Sequence, residues 1–354
     1  MPLGGASLAP GVKKGLAVGA GEILARSASP FQADLPSPLP GRISGLSGTH
    51  ILLDVDLAAG GAPPAPIRFR DLGPVEALKA LKSLGLTPPL PPAPGDPVIA
   101  SAFDPEPGIN LAQSLFEDQR GVMEAGIQFL ALLFPGKAIV LAHPPQIRPL
   151  ALPSLTPVSL KLPYPRALPV FLKLRLLRRH DPLARGVVSA RTLHLWGTVA
   201  RGGITPRRWP LSLQNIPIQA PFGISPRDLL ALANLSPQDG DAVVVGGLAR
   251  GRATARLEEG LSPRVEAVNL IRKRKIPRRL TPAPCSRCGR CRQNCPLDLP
   301  VDLLGASPWP LWPEILAEFP ALATCPRCGL CALACPSRRP LNALRRSPPK
   351  GSRL

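Results

Sequence analysis

The chain has 354 residues, 45% of them hydrophobic, which is enough for several packed modules and excludes a wholly disordered protein. It has 43 Lys and Arg residues against 23 Asp and Glu residues, a net charge of +20, and 49 prolines. No apolar run reaches the roughly 18 residues of a membrane-spanning helix, and no export signal is visible, so we predict a basic protein of the cytoplasm.

Residues 1–58 are predicted to form a small β module of the barrel or sandwich type. Short apolar stretches alternate with Gly and Pro there, and strands are expected at 42–46 and 51–55. A linker rich in Gly, Pro and Ala follows at 58–66.

Residues 67–185 are predicted to form an α/β domain. Helical periodicity at 75–84 precedes a buried strand at 98–102; a long helix at 111–133 and a strand at 138–142 follow. The first strand leads into an acidic turn that contains Asp104 and Glu106. Prolines and arginines obscure the pattern between 151 and 185, where apolar and basic residues alternate at 171–177.

Residues 186–270 are predicted to form a third module. We expect a helix at 187–199, strands at 209–213 and 216–219, a helix at 226–234 with Ser225 as its N-cap, and a strand at 242–245. The order strand, strand, helix, strand resembles a small β-grasp module.

A basic run, RKRKIPRR at 272–279, separates this module from the C-terminal region. It is interpreted as a solvated linker, and the alternative is a contact for nucleic acid. Nucleic-acid binding is disfavoured because no aromatic residues are interleaved with the basic ones, and the whole chain has one tyrosine. The basic balance instead suits an acidic protein partner or the anionic face of a membrane.

All eight cysteines lie in two copies of one pattern, C-x-x-C-x-x-C-x-x-x-C-P, within a predicted C-terminal domain at 275–345. This run binds 4Fe-4S clusters in two-cluster ferredoxins, where the fourth cysteine of each copy ligates the other cluster. The pattern therefore assigns to cluster 1 the residues Cys285, Cys288, Cys291 and Cys335. It assigns to cluster 2 the residues Cys295, Cys325, Cys328 and Cys331.

Zinc and disulfides are the two other interpretations of these cysteines. Zinc sites pair one C-x-x-C with a distant second pair, and a triple run does not suit one tetrahedral ion. Disulfides need an oxidising compartment. Gly289 and Gly329, which follow the second cysteine of each copy, leave room for a cluster, and residues 312–319 are predicted to form a helix between the copies.

The order of these modules resembles the RnfC family of iron–sulfur proteins, a component of the Rnf electron transport complex. The resemblance is carried by the cysteine motifs at 285–336, by PFQADLPSPLPGRISGL at 30–46 and by VIASAFDPEPG at 98–108. Tyr164-Pro165 and VVVGGLARGRA at 243–253 resemble the family less closely. The resemblance implies a multidomain fold of α+β and α/β parts. Its modules would be an N-terminal barrel-sandwich module, a Rossmann-like α/β domain similar to the flavin subunit of respiratory complex I, a β-grasp module and a C-terminal two-cluster ferredoxin domain.

The same resemblance implies a peripheral iron–sulfur subunit of a membrane-bound, ion-translocating complex. Such a subunit would relay electrons through two 4Fe-4S clusters between a cytosolic donor, NADH or ferredoxin, and membrane subunits. It would lie on the inner face of the cell membrane and contact the membrane through its partner subunits. The resemblance also implies that Asp104 and Glu106 help to hold FMN or NADH, although an exposed Pro-rich turn is the preferred interpretation of these two acids.

Two departures from the family count against bound FMN and NADH. Where the family has a glycine-rich loop whose amides cradle phosphates, this chain reads SLGLTPPLPPAPG at 83–95, and proline has no N–H to donate. After Tyr164-Pro165, Arg166-Ala167-Leu168 replaces glycines and an acidic residue. Direct electron exchange between the clusters and ferredoxin or another acidic partner is therefore favoured. Two alternatives are a soluble flavin and iron–sulfur reductase resembling the cobalamin reductases, and a non-redox iron–sulfur scaffold.

Overall fold

A computed structural model of the chain describes residues 1, 3, 6–48, 50–56, 65–275, 283–307 and 311–341. It shows a mixed α/β structure with both parallel and antiparallel sheets. Within these ranges, no helix combines the length and the apolar character needed to cross a bilayer. Most of the predicted linker at 58–66, and residues 276–279 of the basic run, lie outside the described residues.

The N-terminal residues form two antiparallel three-stranded sheets that share one core. The sheets have the orders β1-β3-β4 and β2-β5-β6. Their strands are β1 (Ser7–Leu8), β2 (Ala17–Val18), β3 (Ile23–Arg26), β4 (Leu35–Pro36), β5 (Gly41–Leu46) and β6 (Ile51–Val55). Leu24 of one sheet and Ile43 and Ile51 of the other are buried in the shared cluster. The strands predicted at 42–46 and 51–55 are confirmed.

A parallel sheet with the order β10-β7-β8-β9 forms the centre of the next region. Its strands are β7 (Val98–Ser101), β8 (Ile139–His143), β9 (Leu155–Ser159) and β10 (Val187–Ser189). Helices α1 (Pro74–Ser83), α2 (Ala112–Asp118), α3 (Arg120–Leu133), α4 (Pro169–Leu177) and α5 (Ala190–Gly202) accompany it. Because the strands are parallel, their carboxyl ends all open at one edge of the sheet, where ligands bind in folds of this type.

Two predictions in this region were wrong in detail. The helix predicted at 111–133 is broken at Gln119, which caps the end of α2 and the start of α3 with a non-helical backbone. The helix predicted at 187–199 begins later, because Val187–Ser189 pairs in parallel with β7. Ser189 then caps α5 by accepting the backbone N–H of Thr192. Strand pairing therefore places residues 187–202 with the parallel sheet and not with the mixed sheet that follows, although the third module was predicted to begin at 186.

Residues 171–177, whose pattern was obscure in the sequence, lie within helix α4. Pro169 stands in its first turn, where no N–H donor is needed. Lys173 of this helix is buried, and its ammonium donates to Asp181 Oδ2 at 2.9 Å and lies 3.1 Å from Asp96 Oδ2. A basic residue can face the core here because two carboxylates neutralise it.

A mixed five-stranded sheet follows, with the order β12-β11-β15-β13-β14. Its elements are β11 (Arg208–Leu213), β12 (Ile216–Pro221), α6 (Pro226–Leu232), β13 (Ala242–Val245), β14 (Arg252–Thr254) and β15 (Ala267–Ile271). Ser225 accepts the backbone N–H of Asp228, so the predicted helix cap is confirmed. This sheet shares a continuous core with the α/β unit.

The C-terminal region consists of short helices around its own core. These are α7 (Arg290–Gln293), α8 (Val301–Ala306), α9 (Trp312–Glu318) and α10 (Leu330–Leu333). Trp312 is buried with Leu304 and Leu341, and its indole N–H donates to the Leu304 carbonyl at 3.1 Å. The helix predicted at 312–319 is confirmed. It lies between the two cysteine loops in the sequence, and helices α7 and α10 of those loops are in contact.

Candidate metal centre

The two cysteine motifs have left-handed backbone at the same three positions. Positions whose numbers differ by 40 have matching left-handed φ angles: +54° and +55° at Arg287 and Arg327, +70° and +81° at Gly289 and Gly329, +48° and +52° at Asp298 and Arg338. Left-handed φ is uncommon in residues other than glycine, so two matched non-glycine pairs are informative. A four-residue helix follows the glycine in each copy. The duplicated sequence therefore folds as a duplicated loop.

The cysteines predicted to hold cluster 1 line one cavity. This cavity has a volume of about 210 Å³ and contains Cys285, Cys288 and Cys291 of the first copy together with Cys335 of the second. Asp302 and Gly305 of α8 complete one wall. Cys335 is thus brought to the other motif, as the crossed assignment requires.

The cysteines predicted to hold cluster 2 also lie together. Cys325, Cys328 and Cys331 are each close enough to Cys295 to interact with it electrostatically. Cys295 belongs to the first copy, and the other three belong to the second. Both groups therefore contain three cysteines from one loop and the fourth from the other.

Backbone amides point at the sulfur atoms. The amide of Arg287 donates to Cys285 Sγ at 3.4 Å, and the equivalent amide of Arg327 donates to Cys325 Sγ at 3.3 Å. Leu299 donates to Cys295 Sγ at 3.4 Å. Such bonds favour the thiolate, which is the form that binds iron, and they tune the potential of a bound cluster.

Burial works against these amides at several thiols. It raises the pKa of Cys331 to about 12, and neighbouring cysteines add to the shift. At exposed Cys288 the amide of Arg290 dominates and lowers the pKa. Four thiolates so close together repel one another, so a positively charged centre is needed to hold them deprotonated.

The cysteine side chains do not surround a single point, as the ligands of one metal ion would. A zinc ion needs four ligands within roughly 2.0–2.3 Å of one point. Among the described residues, which include all eight cysteines, no three His, Cys, Asp or Glu side chains converge in that way. All eight cysteines are free thiols. In a cubane each thiolate binds a different iron, so four separated sulfurs around a cavity are the donor set that it needs.

Asp104 and Glu106, the predicted nucleotide contacts, both bond to the protein's own backbone. Asp104 Oδ1 accepts the amides of Leu111 and Ala112 at 2.9 and 3.0 Å, and burial raises its pKa to about 6. Glu106 Oε2 accepts the amide of Arg250 at 2.7 Å, and burial raises its pKa. Neither residue is an exposed turn acid, and each has a structural partner.

A second cavity of about 540 Å³ opens at the carboxyl ends of β7, β8 and β9. It is lined by Phe103, Asp104, Lys161 and prolines at 144, 145 and 163. No residue of 83–95 lines it, and Pro92 instead packs against Gly186 at the opposite ends of the strands. The proline-rich segment therefore contributes no phosphate cradle to this cavity.

Sequence reasoning missed two contacts around the cysteine loops. The Tyr164 hydroxyl donates to the carbonyl of Cys328, and the Ala249 carbonyl lies against Gly329. The weak resemblance at Tyr164-Pro165 and at 243–253 was the one signal for them.

The chain matches none of the family models and none of the curated proteins with which it was compared.

Proposed function

We propose that the chain is an electron-transfer protein that holds two 4Fe-4S clusters. Cluster 1 would be held by Cys285, Cys288, Cys291 and Cys335, and cluster 2 by Cys295, Cys325, Cys328 and Cys331. The observation that carries the proposal is the exchange of the fourth cysteine between two loops whose left-handed backbone positions match. A duplicated loop with crossed cysteines is the arrangement of two-cluster ferredoxins.

When bound, such clusters supply one-electron transfer. The chain provides eight sulfurs, amides that donate to them, and two unequal environments. Cys288 of the first group is exposed, whereas Cys328 and Cys331 of the second are buried. The two sites therefore differ in access to solvent, which is one of the factors that set the potential of a cluster.

We further propose that this electron-transfer protein is a peripheral subunit of a membrane-bound, ion-translocating complex of the Rnf type, on the cytoplasmic face. The order of the folded regions supports this: a two-sheet β region, a parallel α/β unit, a mixed sheet and a two-loop cysteine region. These would correspond to the barrel-sandwich, flavin-subunit-like, β-grasp and ferredoxin modules. Membrane contact would be made through partner subunits.

The donor is proposed to be ferredoxin or a similar acidic protein, and not NADH through bound FMN. The support is the cavity at the ends of β7–β9, which lacks a phosphate cradle, and the structural bonds of Asp104 and Glu106. In this proposal the α/β unit is a relic of a nucleotide-binding domain that now supports the cysteine region.

An anaerobic titration of the reconstituted protein tests both parts of this proposal. Iron, sulfide and released flavin are quantified on the same sample, and the absorbance of the clusters is followed. The proposal predicts two cubanes per chain, no flavin, and bleaching by dithionite or reduced ferredoxin but not by NADH. A sample without iron would refute the cluster assignment, and bleaching by NADH with one flavin per chain would refute the choice of donor.

A further inference from the structure

The two cysteine loops share a backbone, but their side chains differ in a consistent way. In place of the exposed positions Arg290, Arg292 and Gln293 of the first loop, the second loop has Leu330, Ala332 and Leu333. At these three positions the first loop is polar or basic and the second is apolar, whereas both loops have an exposed arginine at the equivalent positions 287 and 327.

The second loop faces the rest of the protein. Leu330 and Cys328 pack in an apolar cluster with Leu168 and Phe171 from the start of α4. At Gly329 an added Cβ would lie 2.7 Å from the Ala249 carbonyl oxygen, so this glycine is in close backbone contact. Packing within the chain explains the apolar side chain of Leu330, whereas Leu333 is 69% exposed.

The first loop faces solvent. An added Cβ at Gly289 would meet nothing within 4 Å, although Gly289 and Gly329 occupy equivalent positions. The arginines at 287, 290 and 292 are exposed, as is Cys288. Arg338, also exposed, follows Cys335 and Ser337 of the same cavity.

These four arginines, Arg287, Arg290, Arg292 and Arg338, define what we call the cluster 1 face. Arg292 lies 3.6 Å from Asp298, its one described ion-pair partner. In the part of the chain that the structure describes, Arg287, Arg290 and Arg338 make no ion pair. Their charge is therefore available to a partner.

We propose that the cluster 1 face is the docking surface for an acidic redox-carrier protein of the ferredoxin type. The inference rests on the proposed function, since it assigns one end of the relay to this surface. One electron leaves the reduced carrier, which is oxidised, and reduces cluster 1; no bond forms or breaks. Complementary charge around the cavity would steer the carrier so that its redox centre approaches the exposed cysteines.

A lipid surface could also attract four arginines, but the position of the arginines favours a protein. Arg287 lines the cavity that holds the predicted cluster 1 ligands, Arg290 and Arg292 flank Cys291 of its wall in the sequence, and Arg338 follows Ser337. Headgroups bound there would cover the exposed end of the relay and offer it no redox centre. The carrier protein is therefore the occupant to which we commit.

The test compares two charge-reversed proteins. One carries Arg287→Glu, Arg290→Glu and Arg338→Glu. The control carries Lys13→Glu, Lys14→Glu and Lys79→Glu, which makes the same change of net charge at exposed positions remote in sequence. Iron content, EPR spectra and midpoint potentials of all proteins are measured first, and a wild-type chain without clusters would show that the proposed function itself has failed.

Reduction by an acidic ferredoxin is then followed by stopped flow, and binding of the oxidised proteins by interferometry, at low and high ionic strength. The arginine variant should lose about 10- to 100-fold in rate constant and affinity at low ionic strength, and high salt should remove the difference. The control should stay within about twofold, as expected for charges distant from the docking site. If charge reversal reduces the iron content, the corresponding glutamine triple replaces it.

Three results would overturn the inference. Equal rates for the wild type and the arginine variant would show that this face is not used. Equal losses in the arginine and lysine variants would indicate a general charge effect. Unchanged ferredoxin kinetics with lost binding to phosphatidylserine vesicles would assign the arginines to a lipid surface.

Discussion

The crossed grouping of cysteines predicts the outcome of two double substitutions. Cys288 and Cys335 line one cavity although they are 47 positions apart, whereas Cys295 lies with the second group. In Cys288→Ala/Cys335→Ala both changes therefore fall on cluster 1, and about four of about eight irons should remain per chain. In Cys288→Ala/Cys295→Ala one change falls on each cluster, and neither cluster keeps its four ligands.

Iron and sulfide analysis after anaerobic reconstitution measures these losses, and EPR of the reduced proteins identifies the cluster that remains. The two variants contain the same number of substitutions and share Cys288→Ala, so each is the control for the other. An uncrossed arrangement reverses the result, because Cys288 and Cys295 would then belong to one cluster. Retention of half of the iron in Cys288→Ala/Cys295→Ala, with loss of nearly all of it in the other variant, would refute the ligand assignment.

Four further predictions concern the folded scaffold. Lys173→Met breaks a buried charge network and should lower the free energy of unfolding by about 3 kcal/mol in denaturant titrations; an unchanged midpoint would contradict this. Burial would raise the pKa of Asp181, but hydrogen bonds from Lys173 and Arg185 outweigh it and lower this pKa to about 2. The contribution of the Asp181 carboxylate to the free energy of unfolding should therefore be complete above about pH 4 and be lost as the pH falls towards 2. Burial and, to a smaller extent, the charge of Arg191 lower the pKa of His194 to about 4, so the unfolded state binds a proton more readily than the folded state. The free energy of unfolding should therefore fall as the pH decreases from about 6.5 to 4. In thermal scans, His194→Gln should make the melting temperature less dependent on pH over this range. Gly329→Ala should destabilise the protein more than Gly289→Ala, since both have positive φ but only the former meets a carbonyl, and equal thermal shifts would refute this.

Local sequence signals predicted many of the helices and strands. Ser225 precedes a helix that begins with Pro226, and this cap depends on a few adjacent residues. The strand at Val187–Ser189 depends on a distant partner instead, because it pairs with β7. Helices α3 and α5 cross at Gly126 and Gly197, where an added Cβ would collide with the opposite backbone, and no local pattern shows this crossing.

The burial of Lys173 shows why the pattern at 171–177 could not be interpreted from the sequence. A lysine in an apolar stretch normally marks an exposed face. Here the counter-charges come from Asp96, which is distant in the sequence, and from Asp181, which lies on the loop after α4. The hydrophobic pattern of a helix is unreliable wherever a buried charge is paired through the tertiary fold.

The two groups of cysteines could be predicted from their spacing, because the proposed clusters would each require four sulfurs at that spacing. Their surroundings could not, since the contrast between Gly289 and Gly329 arises from the position of residues 246–251. The signal that could have revealed the basic face is the difference between the two copies. Arg290 and Arg292 of the first copy stand where the second copy has Leu330 and Ala332. When the two copies are compared with each other, and not only with the motif, their differences indicate which copy packs against the rest of the chain and which faces solvent.

Glu106 links the acidic turn to the loop that packs against the second cysteine motif. These contacts give the turn a structural role that does not require a flavin. Its carboxylate accepts the amide of Arg250 and lies against Gly247, so it holds the loop at 246–251 in place. The Ala249 carbonyl of that loop is the group that contacts Gly329 beside Cys328. Asp104 in turn accepts the amides of Leu111 and Ala112 at the start of α2. Both acids therefore make hydrogen bonds that stabilise the fold. A chain that no longer bound a nucleotide would still need both acids, because without Glu106 the loop that supports the second cysteine group would lose its anchor.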